Sequence, residues 1–188
     1  MSDYRRAAER YRAYNRQARE LIEEEAFHSF HLRVDVVSID EDILRKAKRD
    51  WYPSPNRHVS WDWEAEIIEP LFGYGVRTFS AAYVYKGQLC ALVAARVSPA
   101  KQWISLTYIE GCPDQHPLKG GVIALGMRSL YVYRGVISVN HPPECVGIRV
   151  LRPTPDALHC YQESGYTEFQ SRKRDSALVF EQPRRRDP

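Results

Sequence analysis

The sequence predicts an α/β fold built as one domain, and three observations carry that expectation. The chain has 188 residues, the length of a single domain, and its 44% hydrophobic and 12% aromatic content can fill a core, which excludes wholesale disorder. Short runs that alternate with period two are interleaved with stretches whose apolar residues recur at three and four. Turn signals rich in Gly, Pro and Asn separate them. In order the elements read β-α-α-β-β-β-α-β-α-β-β, preceded by one extra helix, with no internal repeat. The expected division is an N-terminal amphipathic helix over 1–27, a domain over 28–182 and a basic tail over 183–188.

The extra helix is read from Tyr4, Ala8, Tyr11, Asn15, Ala18 and Ile22, which form one stripe. Its charges run against the helix dipole, with six arginines (Arg5 to Arg19) first and Glu20 and Glu23 to Glu25 after. Such a helix depends on docking, either to its own domain or to a second chain. Phe30 to Ile39 alternates as a strand, with Leu32, Val34 and Val36 on one face. Ser38-Ile39-Asp40-Glu41 reads as a capping box that opens a short helix to about Trp51. After a Pro-rich loop, Ser60 is placed to cap a further helix carrying Trp61, Trp63, Ile67, Ile68 and Leu71, ending near Gly73.

From Thr78 the texture becomes β-rich. Thr78–Tyr85 and Gln88–Val97 flank Lys86-Gly87 as a hairpin, and Trp103–Ile109 follows a turn at Ser98 to Lys101. A loop from Gly111 to Gly121 leads into a helix over about Val122–Tyr133, with Gly135 behind it. Val146–Leu151 is strand-like. Thr154-Pro155-Asp156 then starts a helix with Thr as cap and Pro at the first helical position, and Gly165 stands where a helix ends. Thr167–Gln170 and Ala177–Phe180 are expected as a closing pair of strands.

Composition narrows the classes. A net charge of +3, from 27 basic and 24 acidic residues, is too even to argue for nucleic acid by itself. Cys90, Cys112, Cys145 and Cys160 form no C-x-x-C pair, and Arg5 and Arg6 lead into a polar helix rather than a signal sequence. No apolar run is expected to approach the roughly 18 residues of a membrane span. Reduced thiols in a cytoplasm are the expectation.

The element order, with three antiparallel strands, a glycine-bearing loop into a helix, then strand–helix–strand, resembles the GNAT (GCN5-related) N-acetyltransferase superfamily over roughly Phe30 to Phe180. Ala157-Leu158-His159-Cys160-Tyr161-Gln162-Glu163-Ser164-Gly165-Tyr166 is similar to the family's A-x-x-x-Y-x-x-x-G-[FY] helix. His116-Pro117-Leu118-Lys119-Gly120-Gly121 stands in the register of the family's [QR]-x-x-G-x-[GA] loop and matches only its final glycine. The resemblance implies a central, mostly antiparallel mixed sheet flanked by helices, here with the extra N-terminal helix. It also implies transfer of an acyl group from acetyl-CoA to an amine.

The site residues follow from that resemblance and from elementary chemistry. A helix N-terminus offers unpaired N–H groups and partial positive charge to a pyrophosphate, and glycine lets the backbone come close. His116, Leu118, Lys119, Gly120, Gly121 and Val122 are therefore the expected phosphate loop. Tyr108 and Ile109, on the fourth strand, are expected beside the pantetheine arm. By resemblance Tyr161 donates to the departing sulfur, and its phenol is protonated at neutral pH. Glu110, closing that strand, is the candidate base, with Asp114 and His116 as neighbours that compete for the role. Desolvation of the amine is an alternative to any single base.

The acceptor is expected to be a primary amine on a small molecule, a protein or an aminoacyl-tRNA. The basic start of the first helix and Arg184–Arg186 leave room for RNA. Aromatics from Trp51 to Tyr74, beside Lys48, Arg49, Arg57 and His58, are either core or a stacking surface. Cys112-x-x-x-His116 and His141-x-x-x-Cys145 have the look of a zinc site. In the expected fold, however, they fall at opposite ends of the sheet, so no metal is expected. A homodimer is compatible with the first helix. The competing class is a catalytically silent binding or regulatory module of the same fold, possibly an RNA-contacting one.

Overall fold

The computed structural model describes residues 3–69, 76–98, 103–140, 147–151, 153–163, 168–172 and 175–180. The turn residues Pro99 to Lys101, Leu71 with Gly73, the pair His141 and Cys145, the end of the helix motif at Gly165-Tyr166, and the Arg184–Arg186 tail lie outside them.

Helix α1 spans Asp3–Phe30 and strand β1 Asp35–Val37. Helix α2 spans Glu41–Asp50, and a π-helical segment spans Trp63–Ile68. Strands β2 (Thr78–Tyr85), β3 (Gln88–Val97) and β4 (Trp103–Gly111) form a meander. Helix α3 (Val122–Asn140) leads to β5 (Gly147–Leu151), and α4 (Pro155–Glu163) to the pair β6 (Glu168–Arg172) and β7 (Asp175–Phe180). One sheet joins all seven strands in the order β1-β2-β3-β4-β5-β7-β6. Every pairing is antiparallel except β4–β5. The expected α/β fold with its mixed, mostly antiparallel sheet is thus the observed one.

Helices cover both faces of the sheet. On one side α1 and α3 bury Tyr11, Ala18, Ile22, Leu125, Leu130 and Tyr133 against Phe79, Val93 and Leu106. On the other, α2 and the π-helical segment bury Leu44, Trp51, Trp63 and Ile67 against Leu89, Leu92 and Ala94. Trp51 and Trp63 are therefore core residues. Strand β3, covered on both faces, is buried at nearly every position, as a central strand must be.

Several local readings are corrected. The strand expected over Phe30–Ile39 is short, because α1 continues to Phe30 and the boundary expected after residue 27 falls inside it. The helix stops at His31, whose φ of 54° is left-handed and whose N–H donates to Phe27 O at 2.9 Å. The cap of α2 is Asp40, which accepts from Ile43 N at 3.0 Å. Asp62, not Ser60, caps the next segment by accepting from both Glu64 N and Ala65 N. There Glu69 N–H reaches back five residues to Glu64 O, the spacing of a π-helix.

Helix α3 continues past Tyr133 to Asn140. By length and composition alone it is apolar enough to cross a membrane, contrary to the expectation that no segment would be. In this fold it lies on the sheet with Leu125, Met127, Leu130, Tyr133, Val136 and Ile137 buried, as a core helix.

Candidate active site

The sheet itself makes the cleft. Strands β4 and β5 pair in parallel from Trp103↔Gly147 to Leu106↔Val150. Gly147 lets the Trp103 ring lie close against the strand, since a Cβ there would be 2.3 Å from that ring. One residue later β4 bulges: Leu106 pairs with Ala95 and Tyr108 with Ala94, leaving Thr107 as the extra residue, its Oγ1 donating to Ala94 O at 2.7 Å. A bulge bends its strand and increases local twist. From that point β4 and β5 part.

A cleft of about 640 Å³ fills the gap. Its floor is Leu106, Thr107, Tyr108 and Ile109 of β4, facing Val150 and Leu151 of β5. Val122 and Ile123, from the first turn of α3, close one end, and Thr154, just before α4, lines another wall with Ala157 and Tyr161 of α4. Val59, Trp61, Glu66, Ile67 and Arg96 line it on the side of the π-helical segment. The first α-helical donation in α3 is Leu125 N to Gly121 O. The amides of Val122, Ile123 and Ala124 are therefore those a helix leaves without an intrahelical partner.

Of the residues expected to hold the cofactor, Tyr108, Ile109 and Val122 line this cleft. The others do not. Leu118 is 1% exposed and belongs to the core. His116 is also buried, and its Nδ1 has no hydrogen-bond partner among the described residues. Burial, reinforced by Lys119, pushes its pKa below the ordinary value. Lys119 Nζ turns back to Pro113 O at 3.4 Å. Gly120 is required by its φ of +84°. A Cβ on Gly121 would lie 2.8 Å from the Phe30 ring, so the close approach it permits is to α1.

Tyr161 lies on the cleft wall and is only 2% exposed. Burial raises its phenol pKa well above the usual value. Glu110 has a different setting from a solvated strand end. It is buried, and Arg57 donates to it from Nε at 2.8 Å and from Nη2 at 3.2 Å. The indole Nε1 atoms of Trp61 and Trp63 donate to its Oε2 at 3.1 and 2.6 Å. Arg57 also lies over the Tyr52 ring at 4.0 Å and donates to Trp61 O. Burial is the largest influence and works against its charge, but the hydrogen bond and charge of Glu110, with Tyr52 adding to them, together exceed it and raise the Arg57 pKa. Asp114, a competing candidate, instead accepts from Ser54 and Asn56.

The sequence reading missed the bulge at Thr107, the Arg57–Glu110 pair and the two charged cleft residues Glu66 and Arg96. No local signal joins Arg57 to a carboxylate 53 residues away.

An α/β sandwich whose parallel strand pair parts over a ligand-sized cleft defines the class of protein. The chain has the GNAT (GCN5-related N-acetyltransferase) fold, as comparison with solved structures shows. It superposes on the PaiA N-acetyltransferase of Thermoplasma acidophilum in complex with coenzyme A with a TM-score of 0.52 and 10% identity, covering 79% of this chain and 99% of that one. A GNAT family acetyltransferase of Brucella melitensis in complex with acetyl-CoA gives 0.51 and 18%, covering 80% and 91%. The N-acetyltransferase PseH of Campylobacter jejuni gives 0.50 and 8%, covering 80% and 99%. By sequence, no family model and no curated protein matches the chain.

Proposed function

We propose that the chain is an acyl-CoA-dependent N-acyltransferase that passes an acyl group, acetyl in the simplest case, to a primary amine. The observation that carries this reading is the cleft opened by the Thr107 bulge between β4 and β5, with the α3 N-terminus at one end and Tyr161 on its wall. The neighbours crystallised with coenzyme A or acetyl-CoA support it through their shared fold. The residues fit a CoA thioester in part. The first-turn amides of Val122, Ile123 and Ala124 suit the pyrophosphate, and the backbone at Thr107–Ile109 suits the pantetheine arm. The expected loop side chains contribute little, because His116 and Leu118 face inward.

In this reading the amine attacks the thioester carbon, the carbon–sulfur bond breaks, and sulfur leaves as thiolate. Tyr161 meets that charge. Because burial raises its pKa, full proton transfer costs more than hydrogen bonding, so its hydroxyl acts by donating to the thiolate. Glu110 has both oxygens engaged, and its role is to hold Arg57, Trp61 and Trp63 in place beside the cleft. The proton lost by the amine leaves through solvent, helped by desolvation in an apolar cleft. None of α1's arginines lines the cleft, which separates them from acceptor choice.

A thermal-shift titration with acetyl-CoA, CoA and adenosine tests the proposal. At a hundredfold its Kd a ligand adds about 2.7 kcal/mol, roughly 5–10 °C for a domain of this size. A shift with acetyl-CoA and CoA but not adenosine is expected, followed by consumption of acetyl-CoA in an amine screen. The inward-facing loop residues favour one second reading, a silent module of the same fold. No shift at millimolar ligand would select it.

A further inference from the structure

Helix α1 carries on its solvent side a pattern that the domain's own packing does not use. Arg6, Glu9, Ala13, Arg16 and Glu20 are all exposed and recur at spacings of three, four, three and four, so they form one stripe. The opposite stripe, Ala8, Tyr11, Ala18, Ile22 and Ala26, is buried on the sheet and α3. Read along the helix, the exposed signs are plus, minus, neutral, plus, minus. Turned end for end about Ala13 they become minus, plus, neutral, minus, plus, so every charge meets its opposite.

The spacing along the axis fits as well as the signs. Arg6 and Glu20 each lie seven residues from Ala13, and Glu9 and Arg16 lie four and three from it. At about 1.5 Å per residue the paired charges fall within roughly 1.5 Å of each other. Ala13, the smallest side chain of the stripe, sits where two crossing backbones would come closest. The coarser pattern agrees, because six arginines fill α1 up to Arg19 and four glutamates follow from Glu20. An antiparallel copy brings the acidic half of one helix to the basic N-terminal half of the other, relieving the opposition between charge and dipole in each. A parallel copy would set like charges together. Reversal symmetry of this kind is needed only when the partner is the same surface, which is the condition for an isologous contact.

We propose that the chain forms a two-fold homodimer through antiparallel pairing of α1 with α1 of a second copy, with Ala13 on the axis. Two such helices crossing at Ala13 overlap from Asp3 to Glu23, about 31 Å, so a strip about 10 Å wide covers roughly 300 Å² per copy, the size of a weak, transient contact. Leu21 and Val139, 40% and 83% exposed beside the stripe, add apolar area. The dimer is therefore expected to be concentration-dependent and sensitive to salt. No cleft residue comes from α1, so this contact stands or falls apart from the acyltransfer reading.

Sedimentation velocity on the full chain from about 1 to about 200 µM is the test. A monomer–dimer equilibrium that raising NaCl from about 0.1 to about 1 M shifts to monomer is expected. Arg6→Glu/Arg16→Glu makes the stripe wholly acidic, and Glu9→Lys/Glu20→Lys makes it wholly basic. Each variant should be monomeric alone, with a melting temperature close to the parent's, and an equimolar mixture should dimerise again. Ala13→Cys should give a disulfide-linked dimer above the background of the native cysteines, whereas Glu24→Cys should not. This second measurement holds even if a recharged helix folds poorly. A parent that stays monomeric throughout, a mixture that does not reassociate, or equal cross-linking at both positions would overturn the proposal.

Discussion

Tyr161, Glu110 and His116 each owe their character to burial, and of the three Tyr161 lines the cleft. Removing the Tyr161 hydroxyl takes a donor from the cleft wall without opening a cavity. Tyr161→Phe is expected to lower kcat about 100-fold with KM little changed, measured as single-turnover acyl transfer so that product release does not mask the step. Glu110→Gln keeps the shape but leaves Arg57, 8% exposed, without its countercharge. A loss of about 3 kcal/mol is expected, largely restored in Glu110→Gln/Arg57→Met, as read from denaturant melts. A base would behave differently: its loss would flatten the pH–rate profile while stability stayed unchanged. His116 gives the pH signature. Its folded pKa lies below the ordinary 6.5, so the unfolded chain takes up the proton first. Its contribution is complete above about pH 6.5 and is lost as pH falls from there through the folded value. His116→Gln should narrow the fall in melting temperature between about pH 7 and pH 5 relative to the parent.

At the scale of elements, the strands and helices were legible because periodicity and turn chemistry are local. Lys86-Gly87 is the observed hairpin turn, with both residues at positive φ, and Pro155 opens α4 as read. What was not legible depends on distant contacts. Nothing near Thr107 marks it as a bulge, because the slip is a mismatch of register against Ala94 and Ala95. The glycine loop misled for a related reason. Gly121 looked like a place for phosphate, yet its missing Cβ makes room for Phe30, some 90 residues earlier. Gly121→Ala is therefore expected to cost about 1–2 kcal/mol by overpacking. Combining it with Phe30→Leu should return part of that loss if the ring is the obstacle, as equilibrium unfolding would show. A Gly121→Ala chain that unfolds like its parent would mean the ring turns aside freely.

For the whole molecule the question is whether α1 is an appendage or a wall of the domain. Its sequence, with charges set against its own dipole, pointed to docking without naming the surface. The structure supplies that surface: Ala18, Ile22 and Ala26 are at most 1% exposed against the sheet and α3. Asn15 Nδ2 donates to Thr78 O at 2.9 Å, and Glu23 accepts from Val36 N at 2.7 Å. Taking α1 away would expose Phe79, Val93 and Leu130, which share its cluster, and would leave the Val36 N–H without its acceptor, Glu23. At roughly 1.5–3 kcal/mol for each large apolar side chain fully buried, the loss is comparable with the 5–15 kcal/mol that holds a domain together. A chain starting after His31 is therefore expected to be insoluble or to show no cooperative melt, while one starting at Tyr11 should fold with reduced stability. Calorimetry on the two truncations decides the matter. A cooperative transition in the shorter chain at the parent's temperature would make α1 an appendage after all.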